Sequence, residues 1–310
     1  MGAAMACAAL TGVQVGAAMV ASGAAVQDTG AGWLGFLRYG VALLILVPLA
    51  LARRGPGIAL GDLPGLVLLG IGQFGVPIAL LNLAVILTDP ARVALVFATL
   101  PIVTLVVGRL LGRPPLGRAA VAGMALTLAG VAVLVGLDGL TGHLAPDDAW
   151  GLAAASSATL SIALCSQLYG RYLRRYGVVR VSALAMGSAL LPLGLLAAVE
   201  GARVPVAGWP LDTWGLIGFI GLSSGIAYLG WLYALDRLEP ARVTGYLALG
   251  PVTAAALTVV LLGTSPTLSL VLAVGFVAAG LVVLSHPAAG GRGKPAIGQP
   301  QPDAAAQNAP

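Results

Sequence analysis

Along this chain the apolar residues do not alternate with polar ones at any short period; they run on. Ten apolar stretches stand out, roughly 3–26, 31–52, 64–87, 91–110, 117–136, 149–168, 180–199, 212–235, 241–262 and 266–285. A helix rises about 1.5 Å per residue, so about 20 residues cross the hydrocarbon layer of a bilayer. Strands of a membrane barrel would instead alternate over about 10 residues. Continuous runs of this length predict helices, which satisfy every backbone polar group within the segment.

The polar positions fall between the runs and in clusters: Arg53-Arg54, RYLRRYGVVR at 171–180 and LAPDD at 144–148. With the N-terminus placed in the cytoplasm, the basic residues gather in alternate loops. Arg53, Arg54, Arg109, Arg113, Arg118, Arg171, Arg174, Arg175, Arg180, Arg237, Arg242 and Arg292 with Lys294 fall inside, and only Arg92 and Arg203 outside. Short cytoplasmic loops carry such an excess in membrane proteins, so both termini are expected to be cytoplasmic, in a multi-pass protein of the inner membrane. The net charge of +5 then reports orientation, not a nucleic-acid partner. Composition agrees. The chain is 59% hydrophobic and 9% charged, against about 45–50% and about 25% for soluble domains, which argues against a soluble enzyme. The first stretch is read as a retained span rather than a signal peptide, because no basic segment precedes it. Cys7 and Cys165 lie within predicted spans and define neither a disulfide framework nor a metal site.

The chain also repeats itself. DPARVALV begins at Asp89 and EPARVTGY at Glu239. Laid without a gap, residues 66–134 run over 216–284: Gly75 meets Gly225, Pro101 meets Pro251, and Ala129-Gly130 meets Ala279-Gly280. Each copy holds five spans. Five is odd, so the second copy crosses the membrane upside down. The expected fold is an all-α membrane protein of ten transmembrane helices in two inverted five-helix repeats, residues 1–137 and 149–286. A tail over 287–310, rich in Pro, Gly, Ala and Gln, is expected to be disordered and cytoplasmic. Inverted repeats related by an axis in the membrane plane mark secondary transporters.

Within the repeat, Asp89 and Glu239 stand where an acid favours the positive end of a helix dipole, and the following prolines suit a first helical turn. With Arg92 and Arg242 they read as helix starts and bundle corners, structural or gating in role. Pro101 and Pro251 sit mid-span and remove a backbone hydrogen bond at matching depth, which points to a shared central cavity or to packing bends.

Other motifs carry less. GIGQFG at 70–75 fits a dinucleotide fingerprint but lies inside a span, where small residues serve close helix packing. Gly12/Gly16, Gly108/Gly112 and Gly221/Gly225 share that reading. GRGKP at 291–295 lacks the spacing of a phosphate loop. His143 and His286 are lone loop residues without convergent partners. No metal, cofactor or catalytic group is expected, and the protein is not read as an enzyme. No acid lies at a span centre, which favours facilitated movement or exchange over proton coupling.

Arg38 is the one clear charge within a span. At a helix centre it costs about 2.5–3.5 kcal/mol. It is read as structural, snorkelling or bonded to a carbonyl or to Asp28, with attraction of a substrate carboxylate as the second reading. The cavity-lining candidates are uncharged. Gln73 lies mid-span three, and Asn82 lies on the opposite face unless Pro77 bends the helix. Ser224, Tyr228 and Trp231 form one stripe of span eight, and Tyr246, Gly250 and Thr253 one of span nine. Gln14 and Gln167 add donors from spans one and six. Such a lining suits a small neutral, zwitterionic or moderately apolar solute and suits a polyamine poorly.

FLRYGVALLIL at 36–46, DPARVALVFATLPIVTLVVGRLLGR at 89–113 and EPARVTGYLALGPVTAAALTVVLLG at 239–263 resemble the drug/metabolite transporter superfamily, and within it the EamA-type permeases. The likeness spans about residues 5–285; the family's usual proline shortly before the Arg38 position is missing. The resemblance implies a ten-helix bundle with a cavity lined mainly by spans 1, 3, 4, 6, 8 and 9, exporting amino acids, metabolites or drugs. The expected function is therefore secondary transport, export of a small metabolite such as an amino acid by alternating access. The alternative is a non-transporting receptor or scaffold on a degenerate transporter fold. The expected partners are a small-molecule substrate and the lipid bilayer; oligomeric state is not legible.

Overall fold

The computed structural model describes residues 2–52, 56–88, 90–114, 116–135, 147–202, 204–263, 265 and 267–285. The Asp89 side of the first repeated motif, both histidines and the 287–310 tail lie outside them.

Spans one and two are α1 (Gly2–Thr29) and α2 (Ala31–Ala52). Span three is built in two parts, α3 (Leu63–Gly70) and α4 (Val76–Leu87), joined by a π-helical turn over Ile71–Gly75. Span four is also broken, into α5 (Pro90–Ala98) and α6 (Leu100–Leu110), bent by 41°. Then follow α7 (Arg118–Val135), α8 (Asp148–Leu168), the short α9 (Gly170–Tyr176), α10 (Val178–Glu200) and α11 (Leu211–Arg237). Span nine consists of α12 (Pro240–Gly245), a 3₁₀ turn over Tyr246–Ala248 and α13 (Leu249–Leu262), and span ten is α14 (Leu268–Ser285). Among the described residues, eight stretches are long and apolar enough to cross a membrane. The bent pair in span four makes a ninth, and the shorter Leu268–Leu284 takes the tenth place. The arginine cluster at 171–175 was expected as loop and instead forms α9 between two spans.

The joints show why the chain turns where it does. Gly30 connects α1 to α2 with φ of +75°, a backbone region that favours glycine. The Glu200 carboxylate accepts hydrogen bonds from the amides of Ala31 and Gly32 at 3.0 and 2.6 Å. It thereby places an anion at the positive end of α2.

The packing follows the repeat. α1 lies against α11 and α13; its counterpart α8 lies against α4 and α6, the corresponding spans of the other half. α2 packs on its own counterpart α10, and α7 on α14. These self-paired seams are what an axis relating two opposed halves requires. The α7–α14 seam brings backbones together: a β-carbon on Gly123 would lie 2.6 Å from the Gly280 carbonyl oxygen, and one on Gly280 2.7 Å from that of Gly123. Small residues allow such approach in lipid, where no hydrophobic drive separates helix from solvent. Polar side chains cross the halves in matching fashion. Thr11 donates to the Ala227 carbonyl at 2.9 Å, and Ser161, at the repeat-related position of α8, donates to the Gly72 carbonyl at 2.7 Å.

Candidate functional site

Near the centre of the bundle is a cavity of about 230 Å³. Its walls draw on spans 1, 3, 4, 6, 8 and 9 and also on spans 2 and 7, through Arg38 and Tyr39 of α2 and Met186 of α10. Three helix interruptions meet there. Proline removes the N–H that would bond the carbonyl four residues earlier. For Pro101 and Pro251 those carbonyls belong to Phe97 and Leu247, which occupy the same position of the two repeats and both line the cavity. For Pro77 the residue is Gln73, inside the π-turn of span three. An inserted π-turn re-aims side chains and frequently accompanies functional positions. It also brings the three glycines of GIGQFG against spans six and seven: a β-carbon on Gly72 would lie 2.9 Å from Cys165 Sγ, and one on Gly70 2.6 Å from Ala185 Cα.

Of the expected lining residues, Gln14, Gln73, Ser224, Tyr228 and Trp231 meet at this cavity. Gln14 Nε2 donates to Ser223 Oγ at 3.0 Å and to Ser224 Oγ at 3.3 Å. Gln73, Tyr228 and Trp231 are only 9%, 5% and 3% exposed, yet Gln73 Oε1 and Trp231 Nε1 have no hydrogen-bond partner. The Tyr228 hydroxyl faces that of Tyr169, which itself donates to the Leu69 carbonyl at 3.2 Å. Buried polar groups are paired in the great majority of cases, so two orphaned atoms around one hollow point to a solute that pairs them. An aromatic wall runs beside them. Tyr39 and Phe74 have ring centroids 4.9 Å apart, and Phe74 meets Tyr228 edge-on at 4.5 Å.

Tyr246 and Thr253 lie outside this lining. Both sit on the seam between span nine and α1: the Tyr246 carbonyl abuts Gly12, and a β-carbon on Gly16 would lie 2.6 Å from Thr253 Cβ. Gln167 turns to span four, donating to the Thr104 carbonyl at 2.8 Å. Arg38, expected as structural, forms part of the cavity wall. Its Nε donates to Ser224 Oγ at 2.8 Å, and its guanidinium lies 5.7 Å from the centre of the Tyr39 ring. Asp28 is not its partner and accepts instead from the Thr213 hydroxyl. Sequence reasoning passed over Tyr39, Phe74, Phe97 and Leu247. The last two had a readable signal, since each stands four residues before a repeat-related proline.

The corner residues lie away from the cavity. Arg92 bridges to Asp148 at 2.7 Å, and the Thr88 hydroxyl donates to the same carboxylate, tying span four to the start of span six. At the opposite face Glu239 precedes α12. Burial pushes its carboxyl above the usual range, and Arg113 and Arg242 partly offset this. Asp89 lies outside the described residues. A second cleft of about 550 Å³ opens between α2, α9, α10 and α11, with Tyr176, Arg180, Tyr233 and Arg237 on its walls.

Apolar helices in two opposed copies around a small, partly polar hollow define a multi-pass membrane protein built as a carrier. The EamA-like transporter family matches this sequence twice, over residues 2–136 and 149–286, and the chain belongs to that family. It is 26% identical over 250 residues to an uncharacterized transporter of Archaeoglobus fulgidus, a match covering 80% of this chain and 86% of that protein. A crystallised protein of 24% identity superposes with a TM-score of 0.72, covering 90% of this chain and 97% of the other, a likeness of fold. The protein is a membrane transporter.

Proposed function

We propose that this protein is a secondary transporter that exports a small metabolite, such as an amino acid or a related compound, through the central cavity by alternating access. The observation that carries the reading is the pair of orphaned polar atoms, Gln73 Oε1 and Trp231 Nε1, around one hollow shared by both halves. Two opposed halves supply two equivalent arrangements, one open to each face. The cavity holds no acidic side chain among the described residues, which favours facilitated movement or exchange over proton coupling. The excess of basic residues in alternate loops supports a reading with both termini in the cytoplasm of an inner-membrane protein.

The test is efflux of amino acids and related metabolites from cells making the protein. Gln73→Ala and Tyr228→Ala are expected to reduce flux at least severalfold while the protein is still made and folded. Flux unchanged in both variants removes them from the substrate path. A panel in which no solute is carried leaves the receptor reading in its place.

A further inference from the structure

The walls of the cavity are uneven in charge. Among its lining residues Arg38 alone is charged. A guanidinium carries five N–H donors and no acceptor. Ser224 Oγ takes the Nε donor, and no acidic side chain among the described residues pairs with the rest. Arg38 is partly exposed, and a carboxylate matches the planar fork of its free donors better than any neutral group. The orphaned atoms sort in the same way. Trp231 Nε1 is a pure donor, suited to an anionic oxygen. Gln73 Oε1 is a pure acceptor, suited to an N–H. The remaining lining includes Ile78, Leu81, Phe97 and Leu247, which offer an apolar surface.

We infer that the cavity recognises a small amino monocarboxylate with an apolar side chain, its carboxylate held by Arg38 and its amine facing Gln73. The inference rests on the cavity's being the substrate site, as proposed above, and makes Arg38 the residue that selects for charge. A solute with an amine and no carboxylate meets the guanidinium with nothing to neutralise it, and a like charge nearby repels it. Size agrees. At about 230 Å³ the cavity is smaller than the roughly 300–1,000 Å³ of sites for drug-sized ligands, which favours a small solute.

The probes are L-leucine, 4-methylpentanoate, which keeps the carboxylate and lacks the amine, and L-leucinamide, which keeps the amine and lacks the carboxylate. Binding to the full-length protein in lipid nanodiscs is read by calorimetry. L-Leucine binds most tightly, 4-methylpentanoate binds measurably, and L-leucinamide binds at least about tenfold more weakly than L-leucine, as expected when a site built for a polar group loses it. Arg38→Gln lowers the affinity for L-leucine at least tenfold and, with the like charge gone, raises that for L-leucinamide, the latter showing that the variant is folded. Equal binding of L-leucine and L-leucinamide by the native protein overturns the inference, with no variant needed. So does failure of both carboxylates to bind. Proteoliposome flux with the same probes separates the two claims. Carboxylate-selective binding without flux removes the transport reading alone. Flux without carboxylate preference removes the role of Arg38 alone.

Discussion

The Asp148 carboxylate is nearly enclosed, with its side chain 7% exposed and that of Arg92 12%. Two charges withdrawn from water depend on each other; taking one away leaves the other uncompensated, at about 3–5 kcal/mol. Asp148→Asn and Arg92→Gln are therefore each expected to destabilise the protein by about 3 kcal/mol, with the double variant losing less than the sum. Midpoints of unfolding in sodium dodecyl sulfate check this, and strictly additive losses would show that the pair does not interact. Glu239 poses the opposite case. Burial raises its carboxyl above the ordinary 4.5, so the folded protein holds the proton more tightly than the unfolded chain. Unfolding then releases a proton, and stability from this group falls as pH rises from about 4.5 through the raised value. Glu239→Gln is expected to flatten that stretch of the profile and to raise the melting temperature at neutral pH. A profile of unchanged slope would mean that Arg113 and Arg242 outweigh burial.

At the scale of helices, the two self-paired seams join one half to the other. Gly280 faces the Gly123 backbone, whereas a β-carbon on Gly275 of the same helix meets nothing within 4 Å. Gly280→Ala is expected to cost about 1–3 kcal/mol by overpacking, and Gly275→Ala to stay within about 0.5 kcal/mol of the parent. The contrast, read as melting temperatures in detergent, is between two identical substitutions five residues apart. The existence of these helices was legible in the sequence, because length and continuity alone identify a span. Which face looks inward was not. A helix in lipid is apolar all round, so the hydrophobic period that orients a helix in water is missing. Tyr246, Gly250 and Thr253 form as good a stripe as Ser224, Tyr228 and Trp231, yet the tight glycines of α1 pull the first stripe into a seam. Nor does any residue type announce the π-turn at Ile71–Gly75, since it arises from how span three fits spans six and seven. Arg38 was visible as a charge, but not its place on the cavity wall.

The whole molecule is built of two halves that are alike and opposed. Repeat-related prolines bring Phe97 and Leu247 to one hollow from opposite directions, and α2 with α10 and α7 with α14 pair across the same axis. Such an arrangement has a consequence that chemistry outside the bilayer can read. If every stretch crosses once, the turn before α3 and the turn before α8 lie on opposite faces. Single cysteines at Gly57 and at Asp147, in a background lacking Cys7 and Cys165, are expected to react with a membrane-impermeant maleimide from opposite sides. Gly57→Cys is labelled only in inverted vesicles and Asp147→Cys only in right-side-out cells. The bent span four is the weakest link, because a break of 41° at Thr99 also fits a chain that dips in and returns. A returning segment there places both cysteines on one face, reverses the second half and leaves the two copies parallel. Parallel copies supply no pair of mirror states, and the alternating-access reading falls with them. Labelling on opposite faces keeps span four as a true crossing with a bend at Thr99.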